Sequence, residues 1–411
     1  MPGPFGGSGR PDFGGFLRGG RAREAGAEVR ALIPRAASAQ ITRRALLSGF
    51  AVSATALTLA ACARETGLAA SAPLDGELES QLNVYSWGDY DDPRNISAFQ
   101  RKNGVTVQID SYGSNEEMIS KLGATRGTSG YDIIVPTGVY VPLLAKNKLV
   151  QKLDLSKLKN FDNLLPAYRD QSWDPGNVYT VCKDFGTTGY AYNTEVIDRE
   201  MTSWQDFLDV AETTASHNTA LLEDPWEVSC IWFAANGIDP NTTKESDLDA
   251  CEKYMVNTLA PHVKAFNSSA AQSGIPQETF SLIQAFNGDV RQAFLATEKP
   301  PKNWKFVFPT PTANLWMDCW AITTGAQHPD SAYAFIDSML EPEVAYRELD
   351  YIGYSTGLRG QEELARKRDY DFPDLVFLTE EVEKRLTPSL VTDATERLTS
   401  IMNRMMAKAG S

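Results

Sequence analysis

Histidine is nearly missing from this chain, and with it the side chain most suited to acid–base chemistry at neutral pH. Among 411 residues there are three, His217, His262 and His328, far apart and in no HExxH arrangement. Each reads as a surface residue rather than a metal ligand. There is no GxSxG, no phosphate loop and no GxGxxG after a strand, so the common hydrolase, nucleotide and dinucleotide signatures are absent. The five cysteines form no CxxC pair, and their spacings fit no zinc motif. Positive charge is also short: the formal net charge is −14, which argues against nucleic acid, whose binding needs clustered positive charge. Beyond residue 80 there are no repeats, heptads or low-complexity tracts. Carboxylates are plentiful, so unrelated pairs arise by chance, and a glycoside hydrolase stays only a nominal alternative. No enzyme, cofactor or metal is expected.

What is present begins with a leader. Thr42-Arg43-Arg44-Ala45-Leu46-Leu47 opens an apolar stretch that ends at Leu59-Ala60-Ala61-Cys62. A basic region, a short apolar run and small residues before a cut site make an export signal. The Arg pair points to the twin-arginine route, although Leu46 stands where that motif favours Phe and no Lys follows Leu47. Ser48, Gly49, Ser53 and Thr58 interrupt the run, leaving it too short and polar for the roughly 20 apolar residues of a spanning helix. Leu-Ala-Ala before Cys62 resembles a lipobox, whose cysteine is acylated and becomes the new N-terminus. The alternative, a chance Arg pair before a buried helix, would leave that helix ending in a polar stretch without capping signals. The expectation is a signal peptide over 1–61, lipidation at Cys62, a tether over 62–80, and a lipid-anchored protein in the periplasm or at the cell surface.

The leader carries eight Arg against three acids, net +5, so the remaining 350 residues stand at −19. Such a charge concentrates cations, although plain solubility explains it equally. An extracytoplasmic address permits a disulfide among Cys182, Cys230, Cys251 and Cys319. The first, second and last sit in apolar or aromatic company that suits buried thiols, and no bridge is assigned.

From Leu82 the texture becomes that of an α/β protein. Leu82–Tyr85 predicts a strand, Arg94–Lys102 a helix closed by Gly104, and Val105–Gln108 a second strand. Glu116–Leu122 predicts a helix and Tyr131–Val135 a buried strand. This alternation predicts a parallel sheet covered on both faces. Gly189–Tyr192 reads as a further strand. Ser203 with Asp206 three residues on makes a capping box. From Ser203 to about Phe308 the chain reads as most of a second α/β lobe, with a strand at Thr219–Leu222. Trp316–Ile322 reads as a strand, Ala332–Leu340 as a helix, and Glu380–Met406 as helical. Two-lobed α/β proteins carry their ligand in the cleft between lobes, at strand ends.

Four segments gather aromatic and acidic residues at such places: Tyr85-Ser86-Trp87-Gly88-Asp89-Tyr90, Leu221-Leu222-Glu223-Asp224-Pro225-Trp226-Glu227, Leu315-Trp316-Met317-Asp318 and Tyr351-Ile352-Gly353-Tyr354. Carboxylates buried there without partners cost free energy. A ligand with several ammonium groups would satisfy them while aromatic faces hold its methylenes. Aromatic-plus-acid sites also suit sugars, and each acid is equally at home as a cap or turn residue. The residue types alone leave these readings open.

The same segments resemble the spermidine/putrescine-binding proteins of polyamine ABC transporters, in order and at family spacing, from about Gln81 to the last residues. Tyr85–Tyr90 is similar to Y-x-W-x-[ED]-Y, and Tyr112-Gly113-Ser114-Asn115-Glu116-Glu117-Met118 to Y-x-S-N-E-x-M. Tyr131-Asp132-Ile133-Ile134-Val135-Pro136 is similar to Y-D-[ILV]-[ILV]-V-P. Thr202-Ser203-Trp204, Trp316-Met317-Asp318 and Ile352-Gly353-Tyr354 also match. The resemblance implies a two-lobed periplasmic binding protein fold with a hinge and an interlobe ligand cleft. It places lobe 1 over 81–188 plus about 313–362, and lobe 2 over 189–312 plus about 363–411. It implies a monomer that captures a polyamine and presents it to a permease, with no bond made or broken.

Carried over by position, Trp87, Asp89 and Tyr90 would contact ligand from the first lobe, with Thr137 in place of a family Ser. Asp224 and Glu227 would hold ammonium groups from the second. Trp316 would lie along the methylenes, Asp318 would pair with an amine, and Tyr354 would close the cleft. Phe286 stands where a Trp is usual, Gly88 where a hydroxyl residue is, and Val139 where a Tyr contact is common; the C-terminal Gln contact has no match. Rival solutes are a sugar, an amino acid (which would want an Arg for its carboxylate) and Fe(III), the last suggested by Tyr351 and Tyr354.

Overall fold

The computed structural model describes residues 70–125, 129–297 and 301–409. The leader with Arg43, Arg44 and Cys62 lies outside them. Among the described residues the strands are β1 (Gln81–Trp87), β2 (Thr106–Tyr112), β3 (Ile133–Ile134), β4 (Thr180–Asn193), β5 (Thr219–Leu221), β6 (Val263–Phe266), β7 (Leu282–Phe286), β8 (Trp304–Val307) and β9 (Leu315–Ile322). They run in the order β2-β1-β3-β9-β4-β7-β5-β6, with β8 also on β4.

β4 organises the molecule. All fourteen of its residues are buried, as expected of a strand covered on both faces. Its first half, Thr180–Thr187, pairs with β9 beside β3, β1 and β2. Its second half, Thr188–Asn193, pairs with β7 and β8, and β5 and β6 follow. One strand thus serves two lobes. The chain returns from β8 to β9, and crosses again between Leu358 in the first core and Phe372 and Leu375 against the second. Leu82, Val84, Ile133, Trp320 and Phe335 lie in the core of the first lobe, and Tyr190, Trp204, Phe207 and Ile231 in that of the second. This is a two-lobed α/β fold.

The helices follow from local chemistry. Pro93–Asn103 starts on Asp92, whose side chain accepts from the Arg94 N–H, and stops at Gly104, which takes the left-handed conformation (φ 72°) that side chains resist. Trp204–Glu212 opens on the Ser203/Asp206 capping box. Pro225–Ala235 opens on Asp224, which accepts from the Glu227 N–H.

Two expectations are corrected. The sheet is mixed: β1–β2, β1–β3, β5–β6 and β5–β7 are parallel, whereas β3–β9, β4–β9, β4–β7 and β4–β8 are antiparallel. A chain that leaves one lobe on β4 and comes back on β9 lays those strands in opposite directions. The helix expected over Glu380–Met406 is two, Glu380–Glu383 and Thr395–Ala409. Between them Thr387 pairs with Asn314 at the start of β9, and Pro388 cannot continue a helix. Upstream, the expected tether is held to the fold from Ser71 onward: Ser71 Oγ donates to the Thr324 carbonyl, and the Asp75 and Gly76 amides donate to Asp330. Cys182, Cys230, Cys251 and Cys319 are buried free thiols.

Candidate functional site

Where β4 passes between the lobes, its register with β9 sets three levels of side chains on one face. At the first, Asp184 lies opposite Asp318, and at the next Gly186 opposite Trp316. One step further on this face, Thr188 of β4 and Asn314 just before β9 both reach Glu227: Thr188 Oγ1 donates to Glu227 Oε1 at 2.8 Å and Asn314 Nδ2 at 2.6 Å. Gly186 is required, because a Cβ there would sit 2.3 Å from Trp316 Cζ2. Alternation in the strand therefore sets an acid pair, a tryptophan and a third acid in a line.

Around Asp318 the first lobe supplies hydroxyls. Thr137 Oγ1 donates to Asp318 Oδ1 at 2.7 Å and accepts from Asn115 Nδ2 at 3.0 Å, while the Thr137 amide donates to Asn115 Oδ1. Tyr90 donates its phenol hydrogen to Asp184 and is also within bonding reach of Asp318. Burial, then the facing Asp184, pushes the Asp318 carboxyl up to about 7, against the pull of Thr137, Tyr90 and Lys183. Glu227 is pushed up to about 8, by burial first and Asp224 second. Ionising these carboxylates is costly without a cation.

Trp316 is walled by aromatic rings, Tyr354 edge-on at 4.7 Å and Phe286 edge-on at 5.8 Å. Tyr354 packs so tightly on Gly288 that an added Cβ would lie 2.4 Å from its Cε1. Its hydroxyl donates to Asp289 Oδ1 at 2.8 Å, and burial lifts the Asp289 carboxyl to about 6. Tyr90 completes the wall 6.4 Å from Tyr354.

Of the expected residues, Tyr90, Thr137, Asp318, Trp316, Phe286, Tyr354 and Glu227 are thus brought together. Asp224 is exposed at the helix start, bonded to the Glu227 amide at 2.8 Å. Trp87 is half-buried, packs on Tyr112 at 4.6 Å and gives its indole N–H to the Val135 carbonyl at 3.1 Å. Asp89 stands apart: it is exposed, at φ 53°, on the side of Tyr351. Tyr351 is itself 37% exposed and does not converge with Tyr354. Sequence reasoning passed over Asp184, Lys183, Asn115, Asn314 and Asp289. The signal was there for the Lys-Asp pair, two charges inside an otherwise uncharged run.

Within the site, Asp318, Tyr354 and Glu227 are buried, at 6%, 5% and 4% exposed, while Tyr90, Thr137, Phe286 and Trp316 are half-buried. Two surface cavities, about 410 Å³ beside Trp232 and Tyr254 and about 320 Å³ beside Tyr168 and Phe377, share no lining residue with it.

The family model for bacterial extracellular solute-binding proteins matches residues 95–363. The chain belongs to that family. Its members bind solutes rather than convert them. Among its relatives is the spermidine/putrescine-binding periplasmic protein of Salmonella typhimurium, 32% identical over 299 residues, covering 72% of this chain and 82% of the relative. Among solved structures, the spermidine/putrescine ABC transporter substrate-binding protein PotD from Streptococcus pneumoniae aligns with a TM-score of 0.68 and 28% identity, over 80% of this chain and 100% of that one. The Tp0655 (TpPotD) lipoprotein of Treponema pallidum aligns with a TM-score of 0.70 and 26% identity, over 79% and 99%. These neighbours share the two-lobed binding-protein architecture of this solute-binding chain.

Proposed function

We propose that this chain captures a linear polyamine, putrescine or spermidine, outside the cytoplasm and delivers it to the permease of an ABC transporter, working as a monomer. The observation that carries the reading is the line along β9. Glu227 is held at Asn314, Trp316 lies in the middle, and Asp318 faces Asp184 at the other end. Four residues of extended strand span about 13 Å. Acids at both ends of an apolar, aromatic trough fit a molecule with ammonium groups at its ends and methylenes between, and fit a compact solute poorly. The names of the relatives, spermidine/putrescine- and putrescine-binding proteins, support the same reading.

Rival ligands find less. A ferric ion would need a compact set, whereas Tyr351 is exposed and the Tyr354 hydroxyl is given to Asp289. An α-amino acid would need a cation for its carboxylate, and Lys183, the cation beside Asp318 among the described residues, is already ringed by acids. Two finer points rest on sequence alone. Residues 1–61 would direct export by the twin-arginine route, and Cys62 would carry the lipid that holds the protein at the membrane; that the similar protein from Treponema pallidum is named a lipoprotein lends support. A thermal-shift panel of putrescine, spermidine, spermine, maltose and amino acids tests the ligand class. Amines should raise the melting temperature; a shift with maltose or an amino acid and none with amines refutes the reading.

A further inference from the structure

The strand β4 carries a bulge at Lys183: Cys182 pairs with Cys319 and Asp184 with Asp318, so Lys183 is the extra residue between two matched pairs. Bulges re-aim side chains, and this one turns a lysine inward. Lys183 is 2% exposed. Its ammonium lies 3.2 Å from Asp184 Oδ2, 3.2 Å from Glu348 Oε1 and 3.6 Å from Asp91 Oδ1, and donates to the Tyr90 carbonyl at 2.7 Å. It also sits 4.2 Å from the centre of the Tyr90 ring and 5.2 Å from that of Trp320. Three carboxylates and two aromatic faces make a cage of the chemistry that binds an alkylammonium.

This cage adjoins the Asp318 end of the line that starts at Glu227 and passes Trp316: Lys183 holds Asp184, which faces Asp318, and Trp320 follows Asp318 two residues on in β9. Tyr90 is the shared wall: its carbonyl and ring hold Lys183, and its hydroxyl holds Asp184 opposite Asp318. The cage is also over-acidic. Three carboxylates face one lysine, and neither oxygen of Asp91, 8% exposed, has a hydrogen-bond donor among the described residues. Glu348 is steadied from the far side by Asn95 Nδ2 at 2.8 Å and the Asp92 amide at 3.2 Å. The cage thus holds its shape around a cation supplied by the chain itself.

We propose that Lys183 is a built-in ammonium that caps the inner end of the polyamine site. By filling the cage and neutralising Asp184, it leaves Asp318 as the last carboxylate a ligand can reach and so sets how many amino groups the cleft accepts. The third ammonium of a triamine has its chemical place already taken, so the wild-type protein gains little from it. Lys183 and Asp184 are in this sense specificity-determining residues. The inference rests on the polyamine reading above and fails separately from it.

The test is Lys183→Ala, which removes the ammonium from the cage. Calorimetry with putrescine and spermidine on the wild type and the variant reads the ratio of the two affinities, which a merely structural role would not move. The ratio should shift at least tenfold toward spermidine in Lys183→Ala. In parallel, millimolar n-propylamine should raise the melting temperature of the variant and not of the wild type, while n-propanol should raise neither. Should Lys183→Ala not accumulate, Lys183→Ala with Asp91→Asn restores the net charge of the cage and gives the same readouts. A ratio within twofold of wild type, with both amines still bound, overturns the proposal and leaves the polyamine reading standing. Failure of both amines to bind the wild type overturns the polyamine reading instead. A variant rescued equally by amine and alcohol, or by neither, shows a packing role and overturns the cap.

Discussion

Replacing Asp318 by Asn probes the charge logic of the site at a buried acid. The side chain is 6% exposed, so an ammonium placed against it is stripped of most of its water. Asn keeps the shape and still accepts from Thr137, whose bond to Oδ1 is 2.7 Å. The change therefore isolates the charge. Removing one partner of a desolvated charge pair costs about 2–5 kcal/mol, or roughly 30-fold to several thousand-fold in affinity at about 1.4 kcal/mol per decade. One term offsets this. The free carboxyl is pushed up to about 7, so near neutral pH part of the wild-type population must first lose a proton, at a cost of a few tenths of a kcal/mol. Isothermal calorimetry at pH 8 and 6 on both proteins separates the two: Asp318→Asn should lose at least 30-fold at pH 8 and less at pH 6. Glu380→Gln, on the exposed helix near the C-terminus, should change affinity little, because exposed charges contribute about 0–1 kcal/mol. Affinity for both amines surviving Asp318→Asn unchanged would refute the assignment.

Other expectations follow from the same geometry. Gly186→Ala places a Cβ 2.3 Å from Trp316 Cζ2, so it should displace the indole and weaken binding as Trp316→Ala does, with a matching change in tryptophan emission; unchanged affinity in both would remove Trp316 from the site. The carboxyls of Asp318 and Glu227 are raised to about 7 and about 8, so without ligand the folded state holds protons that the unfolded chain has released. Their contribution to stability is present below the ordinary carboxylate range near pH 4 and is lost as pH rises through 7 to 8. The ligand-free melting temperature should fall across that window, and amine binding at pH 6 should release protons, read as a buffer-dependent enthalpy. Cys62→Ser should free the protein from the membrane fraction and Arg43→Lys with Arg44→Lys should block export; a Cys62→Ser variant that fractionates like the parent would end the anchor proposal.

How much of this could be read from the chain depends on the range of each interaction. The helix stop at Gly104 and the capping box of Ser203 and Asp206 are set within a few residues, so they were legible. Trp316 and Asp318 stand two apart on one strand and advertise a common face. The mixed sheet was not legible, because the pairing of β4 with β9 joins segments more than a hundred residues apart and no local pattern records strand direction. For the same reason Asp184 and Lys183 were passed over: their partners Asp318, Tyr90 and Glu348 come from segments 93 or more residues away. Asp289 waited on Tyr354, 65 residues away, to become part of the aromatic wall. The break in the expected C-terminal helix came from Thr387 pairing with Asn314, a contact that outweighs the helical pattern on either side of it.

The most direct measurement of the central claim is a crystal structure of the protein with spermidine, with putrescine as its companion. The account predicts methylenes lying along the Trp316 ring, one ammonium within hydrogen-bonding distance of Asp318 and another toward Glu227, with Lys183 still in its cage. Ligand bound elsewhere, or in this cleft with its ammonium groups turned away from Asp318 and Glu227, would contradict it.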